Sequence, residues 1–190
     1  MTDVSLTIGA MPLLLGALLL AGFVGWRDVR RGARFGRTTL DVAAIVYFAG
    51  VLAVTVFPMV IGRPAFSMAA DPGWRDSVNL VPFRTIELYL RSSLTGVARV
   101  NLLGNLALLA PMGLMLPLRW RRFGGWWRIA LAGVVCATSI ELLQFARKYV
   151  LGMPGRSVDV DDVILNTLGV LLAFTVFKVA QALGARPADA

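Results

Sequence analysis

Acids and an amide run directly into an apolar segment near the C-terminal end of the chain, at DVDDVILNTLG, residues 159–169. Residues three or four apart on a helix share a face. One stripe of this helix would therefore carry Asp159, Asp162, Asn166 and Gly169. Asp161 points away from that stripe. An amide one turn inside a lipid-facing span is costly unless other polar groups meet it. The sequence thus predicts polar partners on neighbouring helices.

Two other apolar segments carry polar side chains at a matching depth. Asn101 and Asn105 fall in the first turns of one predicted span. Glu141 and Gln144 fall in the last turns of the next one. With spans that alternate in direction, all these groups lie within about 10 Å, or two helical turns, of one membrane surface. We therefore predict one outward-facing polar pocket. Its predicted members are Asn79, Asn101, Asn105, Glu141, Gln144, Arg147, Arg156, Asp159, Asp162 and Asn166.

Most members of this pocket also have a purely structural interpretation. Asp159 is placed to cap the fifth span, and Asp162 to satisfy donors of its first turn. The amides could join helices by hydrogen bonds or meet interfacial water, and the two arginines could be simple anchors. Glu141 is the hardest to explain structurally, because an ionisable group inside a span points to function by default.

The composition indicates an integral membrane protein. Hydrophobic residues make up 57% of the 190 positions and the mean hydropathy is +0.73, whereas soluble domains have about 45–50% apolar residues. No polar linker divides the chain, so we expect a single membrane domain over residues 1–190. There is no His, and the single Cys136 excludes an internal disulfide. Ser-His and Cys-His catalysis are thereby excluded too.

The hydropathy pattern predicts an all-α bundle of about five transmembrane helices. The predicted spans cover residues 6–25, 42–61, 100–118, 129–145 and about 162–183. Pro111 is expected to kink the third span. In the long loop before that span, Ile86, Tyr89, Leu90 and Leu94 share one helical face. This pattern predicts a short helix that lies in the membrane interface.

The net charge of +8 and the pI of about 11.0 come largely from arginines in short loops. The loop after the first span holds five and the loop after the third span holds four. Short loops rich in Arg lie in the cytoplasm, so we predict a multi-pass protein of the cell membrane with its N-terminus outside and its C-terminus in the cytoplasm. The arginines would contact anionic membrane lipids, and we expect no nucleic-acid partner.

Several of these segments together resemble the VanZ-like family of membrane proteins. The matching segments are NLVPF at 79–83, NLLGN at 101–105 leading to PMG at 111–113, ELLQ at 141–144 with Arg147, and Arg156 with the run at 159–169. The resemblance covers residues 79–172. The family takes its name from a teicoplanin-resistance protein, so the resemblance implies a link to resistance against glycopeptide antibiotics.

The sequence leaves several functions open. The first is a non-enzymatic protein that binds a lipid, a lipid-linked cell-envelope precursor or a glycopeptide, since amides suit sugars or peptides and arginines suit phosphate. The alternative is an intramembrane enzyme that uses Glu141 or Asp162 as general acid or base on a lipid-linked substrate. The same oxygens could instead hold Mg²⁺ or Ca²⁺. A carrier is less well supported, because no internal repeat is visible. The pocket could also be hydrogen bonding between helices alone. The sequence predicts no cofactor.

Overall fold

The computed structural model describes residues 6–57, 59–61, 78–91, 96–150 and 158–184. Seven α-helices and four short strands are found in this part of the chain. The helices are α1 Met11–Arg30, α2 Phe35–Val56, α3 Arg84–Arg91, α4 Gly96–Leu108, α5 Ala110–Arg119, α6 Trp126–Phe145 and α7 Val160–Ala182. The strands are β1 Leu6–Ile8, β2 Met59–Ile61, β3 Val78–Asn79 and β4 Val158–Asp159.

Five segments of the described chain are long and apolar enough to cross a membrane. They are α1, α2, the pair α4–α5, α6 with its extension to Lys148, and α7. The prediction of an all-α membrane bundle is therefore confirmed. The protein is a multi-pass membrane protein in which helix α3 lies between the second and third spans.

The predicted bounds of the first two spans were wrong by several residues. Helix α1 begins at Met11 rather than at residue 6, and α2 ends at Val56 rather than at residue 61. Pro12 lies in the first turn of α1, where its missing N–H costs nothing. Phe57, which precedes a proline in the sequence, is extended. The apolar residues beyond these helix ends form instead the antiparallel pair β1–β2.

The third span is interrupted at Leu109, in agreement with the expected effect of Pro111. The backbone N–H of Met112 donates to the carbonyl of Leu109, at 3.0 Å, and not to that of Leu108. The hydroxyl of Tyr47 on α2 donates to the carbonyl of Leu108, at 2.7 Å. A carbonyl without a partner is costly in lipid, so this contact stabilises the break between α4 and α5.

Helix α7 packs against α4, α5 and α6 at the centre of the bundle. Two glycines allow the backbones to meet. A Cβ atom at Gly169 would lie 1.9 Å from the carbonyl oxygen of Leu106, and one at Gly113 would lie 2.2 Å from that of Val170. Small residues permit such contacts between membrane helices, where van der Waals packing drives association. The close approach fixes the depth of the polar residues on α4 relative to those on α7.

Contacts at the two ends of the bundle define how α2 lies against its neighbours. At one end, Arg119 of α5 forms a salt bridge with Asp41 near the start of α2. At the other end, Arg147 donates to the carbonyl of Val56, the last residue of α2, at 2.9 Å. We call this second end, where α2 and α6 finish and α7 begins, the strand end. The short β-pairs lie there.

A cavity lined by predicted polar residues

A cavity of about 470 Å³ lies between α2, α4, α6 and α7 near the strand end. Its wall contains apolar side chains such as Phe57, Leu108 and Ile140. The polar lining consists of Thr55, Asn101, Asn105, Glu141, Gln144, Arg147 and Asn166. Six of the nine predicted pocket residues that the structure describes thus surround one space.

Two amide oxygens in this wall are buried without a hydrogen-bond partner in the described part of the chain. They are Oδ1 of Asn166 and Oε1 of Gln144. Asn166 is 3% exposed and Gln144 is 8% exposed. The amide nitrogen of Asn166 donates to the carbonyl of Asp162, at 2.8 Å, which leaves its oxygen as the remaining polar atom. A buried acceptor without a partner costs about 1–3 kcal/mol, so both oxygens are suited to a bound donor.

Glu141 connects the cavity to the start of α7. Its side chain is buried, and Oε2 accepts a hydrogen bond from the backbone N–H of Asp159, at 3.0 Å. One turn of sequence separates Glu141 from Gln144 on α6, so both face the same space. The carboxylate is therefore part of the cavity wall and also helps to position the N-terminus of α7.

Asp162 meets the cavity only indirectly. Its carboxylate accepts a hydrogen bond from the amide nitrogen of Asn105, which is a lining residue. This bond joins α4 to the first turn of α7. The structural interpretation of Asp162, which placed it as an acceptor for its own helix, did not include this contact between helices.

Arg147 lies just beyond the regular part of α6. Residues Ala146–Val150 form a π-helical turn, a feature that is frequent at functional sites. The turn directs Arg147 towards the end of α2, where Nη1 meets the carbonyl of Val56. A guanidinium group thus contributes to the wall at the strand end of the cavity.

A second polar network, the aspartate clamp, lies beside the cavity and consists of Asp159 and Asp161. Asp161 is fully buried and its carboxylate accepts the backbone N–H groups of Phe83, Thr85 and Ile86, at 2.5, 2.8 and 3.0 Å. These are donors at the start of α3. The clamp therefore attaches helix α3 to the N-terminus of α7.

Asp159 completes the clamp and also caps α7, as one of its structural interpretations predicted. Its Oδ1 accepts the backbone N–H of Asp161, at 2.9 Å. The same carboxylate accepts from the amide of Asn79, at 2.9 Å, and from the hydroxyl of Thr85, at 2.5 Å. Asn79 pairs with Asp159 in the parallel ladder of β3 and β4. Asp159 thus belongs to the aspartate clamp and Asn79 is bonded to it, and neither is among the described residues that line the cavity.

The sequence of residues 44–181 matches the model of the VanZ/LLP1 family. The chain belongs to the VanZ/LLP1 family. The matched region is longer than the predicted 79–172, because it begins within α2 and ends within α7. It includes every residue that lines the cavity and both members of the clamp. No curated protein and no solved structure matches the chain significantly.

Sequence reasoning missed Asp161 and Thr85, which lie in the VanZ/LLP1 region. Asp161 does point away from the stripe of Asp159, but it points towards α3. One signal was available: the residue before α3 is Phe83, which cannot cap a helix with its side chain. Phe83 also has a φ of 67°, an uncommon conformation for a large side chain. A helix without its own cap needs an acceptor from elsewhere in the chain.

Helix α3 is also linked to the cavity wall of this VanZ/LLP1 protein. The amide nitrogen of Asn101 donates to the hydroxyl of Tyr89, at 3.1 Å. Glu87 and Arg91, which are four residues apart, form a salt bridge on the exposed side of α3. Apolar side chains such as Leu88 and Leu90 remain about 60% exposed, as expected for a helix that contacts lipid.

The remaining predictions concern residues and ligands beyond these contacts. Arg156, which was predicted to flank the pocket, lies outside the described residues. The predicted face of α3 also included Leu94, which lies outside them as well. Within the described ranges, no group of three or more His, Cys, Asp or Glu side chains is arranged to hold a metal ion.

Proposed function

We propose that this VanZ/LLP1 protein is a non-enzymatic membrane protein that binds the headgroup of a cell-envelope lipid or lipid-linked precursor in the cavity. The observation that carries the proposal is the pair of buried amide oxygens of Asn166 and Gln144, which have no partner in the described chain. Membrane proteins seldom bury polar atoms that nothing satisfies. A ligand that donates hydrogen bonds supplies what these atoms lack.

The shape and lining of the cavity support an amphipathic ligand. A volume of about 470 Å³ lies in the range of small-molecule sites, which combine an apolar wall with a few placed polar groups. Apolar side chains from α2, α4 and α6 suit an acyl or prenyl chain, and the amides suit a headgroup. The guanidinium of Arg147 suits a phosphate or carboxylate group on the same molecule.

The distribution of charge supports an outward orientation of the cavity. Both Arg-rich loops connect helices at the end of the bundle opposite the strand end. By the positive-inside rule that end is cytoplasmic. In this orientation the N-terminus and the cavity mouth face the outside of the cell membrane. Precursors of the cell wall and glycopeptide antibiotics both meet the membrane on that side.

The resemblance to the teicoplanin-resistance family suggests how such binding would act. A protein that retains an envelope lipid or lipid-linked precursor changes how much of it a glycopeptide can reach. Direct binding of the glycopeptide is a second route to the same result, although the whole antibiotic is large for this cavity and only a part of it would enter.

Catalysis is the second candidate, and the position of Glu141 in the cavity wall favours it. Glu141 would act there as general acid or base on a lipid-linked substrate. Asp162, the other predicted catalytic residue, is not among the described lining and is hydrogen bonded to Asn105. The lining therefore supports Glu141 rather than Asp162 as the carboxylate that would reach a ligand.

Occlusion of the cavity tests the proposal. Gly104 lines the cavity, and a Cβ atom there would meet nothing within 4 Å. Gly104→Leu therefore fills the cavity without a clash of the backbone. Gly22→Leu is the matched control, since Gly22 lies in α1 with similar open space. We expect lipid that co-purifies with the protein, measured by native mass spectrometry, to fall at least tenfold in Gly104→Leu alone. Equal lipid occupancy in both variants contradicts the proposal.

A further inference from the structure

We infer that the inner part of the cavity is a subsite for a neutral headgroup rich in hydroxyl groups, such as a glycosyl group, with Asn166 and Gln144 as its specificity-determining acceptors. The inference rests on the proposed lipid-binding function and adds the chemical class of the headgroup. It excludes a phosphate or an ammonium group from the position next to these two amides.

The two buried polar atoms that define the subsite are both acceptors. The amide nitrogen of Asn166 donates to the carbonyl of Asp162, one turn earlier on the same helix. Asn166 and Gln144 both line the cavity, and the Oδ1 of Asn166 and the Oε1 of Gln144 are buried without a donor from the described chain. A phosphate oxygen is itself an acceptor, so a phosphate here would leave both amide oxygens without a donor and opposed by like partial charge. A hydroxyl group supplies the missing donor.

The charge of the lining argues against a cationic headgroup. The described lining contains one carboxylate, on Glu141, and one guanidinium, on Arg147. Their formal charges cancel, and the other polar members are amides and a hydroxyl. A buried cation needs a compensating charge, yet the guanidinium of Arg147 already balances the formal charge of Glu141 in the described lining. A neutral donor carries no such requirement.

The depth of the two acceptors separates them from the arginine. Asn166 lies six residues into α7, about 9 Å from its first residue along the helix axis. Arg147 lies beyond the end of α6, at the strand end. A glycolipid whose sugar is joined to its lipid part through an anionic linkage would fit both positions. Its hydroxyl groups would lie at the amides and its anionic linkage at the guanidinium.

The arrangement differs from hydrogen bonding that serves only to hold helices together. The amide of Asn166 donates within its own helix, and its oxygen reaches no other helix in the described structure. A leucine at this position removes the buried polar oxygen and is expected to leave stability equal or higher. If the amide is present for a ligand, Asn166→Leu will keep or raise the unfolding temperature while it removes binding.

The test compares three lipids on the purified full chain by native mass spectrometry in a neutral detergent. Monoglucosyl diacylglycerol offers hydroxyl groups, phosphatidic acid offers phosphate alone, and phosphatidylethanolamine offers an ammonium group beside its phosphate. We expect the wild-type protein to retain the glucosyl lipid at least tenfold more strongly than the other two. Asn166→Leu and, separately, Gln144→Leu are expected to remove this preference, with thermal unfolding as the check on folding.

The outcomes distinguish a failure of this inference from a failure of the proposed lipid-binding function. Equal or stronger retention of phosphatidic acid or phosphatidylethanolamine, lost in Gly104→Leu, overturns the glycosyl preference and keeps lipid binding. A preference for the glucosyl lipid that survives in both leucine variants overturns the role of the two amides. Failure of all three lipids to bind the wild-type protein contradicts the proposed function and the inference together.

Discussion

The carboxylate of Asp161 accepts a hydrogen bond from the backbone N–H of Thr85, at 2.8 Å, across 76 residues of sequence. Through this contact and its neighbours, the first turn of α7 supplies the N-terminal acceptor that α3 lacks. The same turn holds Asp162, which binds Asn105, and Asp159, which binds Glu141 through its backbone. The N-terminus of α7 thus connects helix α3 to two walls of the cavity.

Substitution of Asp161 will detach α3. Asp161→Ala leaves three backbone donors without their acceptor, and we expect the free energy of unfolding to fall by about 3 kcal/mol. Limited proteolysis between α3 and α4 should accelerate. Glu87→Ala is the control on the same helix, because its pair with Arg91 is exposed and such pairs contribute about 0–1 kcal/mol. Equal protease sensitivity of the two variants would show that the aspartate clamp does not hold α3.

Close backbone packing predicts a severe effect at Gly169. An alanine there places Cβ 1.9 Å from the carbonyl oxygen of Leu106, a backbone atom that cannot move aside cheaply. Gly169→Ala should destabilise the bundle by about 3 kcal/mol or more and lower the yield of monodisperse protein in size-exclusion chromatography. Gly22→Ala, in open space on α1, should behave as wild type. A stable Gly169→Ala protein would contradict the observed approach of α4 to α7.

The hydroxyl of Tyr47 is predicted to stabilise the break in the third span. Tyr47→Phe keeps the ring but removes the donor to the carbonyl of Leu108, which should cost about 1 kcal/mol. Thr175→Val is a suitable control, since that exposed hydroxyl bonds a carbonyl of its own helix. Thermal unfolding in detergent measures both. A loss in Thr175→Val as large as that in Tyr47→Phe would assign the effect to helix propensity.

The architecture could be predicted from the sequence because each segment of a membrane protein either crosses the bilayer or connects two segments that do. Apolar length and the positions of Arg and Pro111 indicated five helices and the break in the third. Span ends were less predictable, since apolar residues 6–8 and 59–61 are equally consistent with a helix and with the strands that they form. Pro12 and Pro58 were the local signals that place those ends.

Much of the candidate site was predictable for a related reason. Polar side chains in a membrane must find one another, so equal depth was enough to group Asn101, Asn105, Glu141, Gln144 and Asn166. Depth alone could not show which of them face a cavity and which are bonded to each other. The role of Asp161 was missed because its partners are backbone N–H groups, which carry no sequence signal of their own.

Glu141→Gln separates binding from catalysis. The substitution is nearly isosteric, and the amide oxygen can still accept the backbone N–H of Asp159, so the fold should be kept. If the protein acts by binding, Glu141→Gln should keep lipid occupancy within about threefold of wild type, or 0.7 kcal/mol. It should also keep any increase in teicoplanin resistance that the wild-type protein confers on a sensitive bacterial host, while Gly104→Leu loses both. Retained lipid binding with complete loss of resistance in Glu141→Gln would instead contradict action by binding alone and show that the carboxylate itself is required, as for a general acid or base.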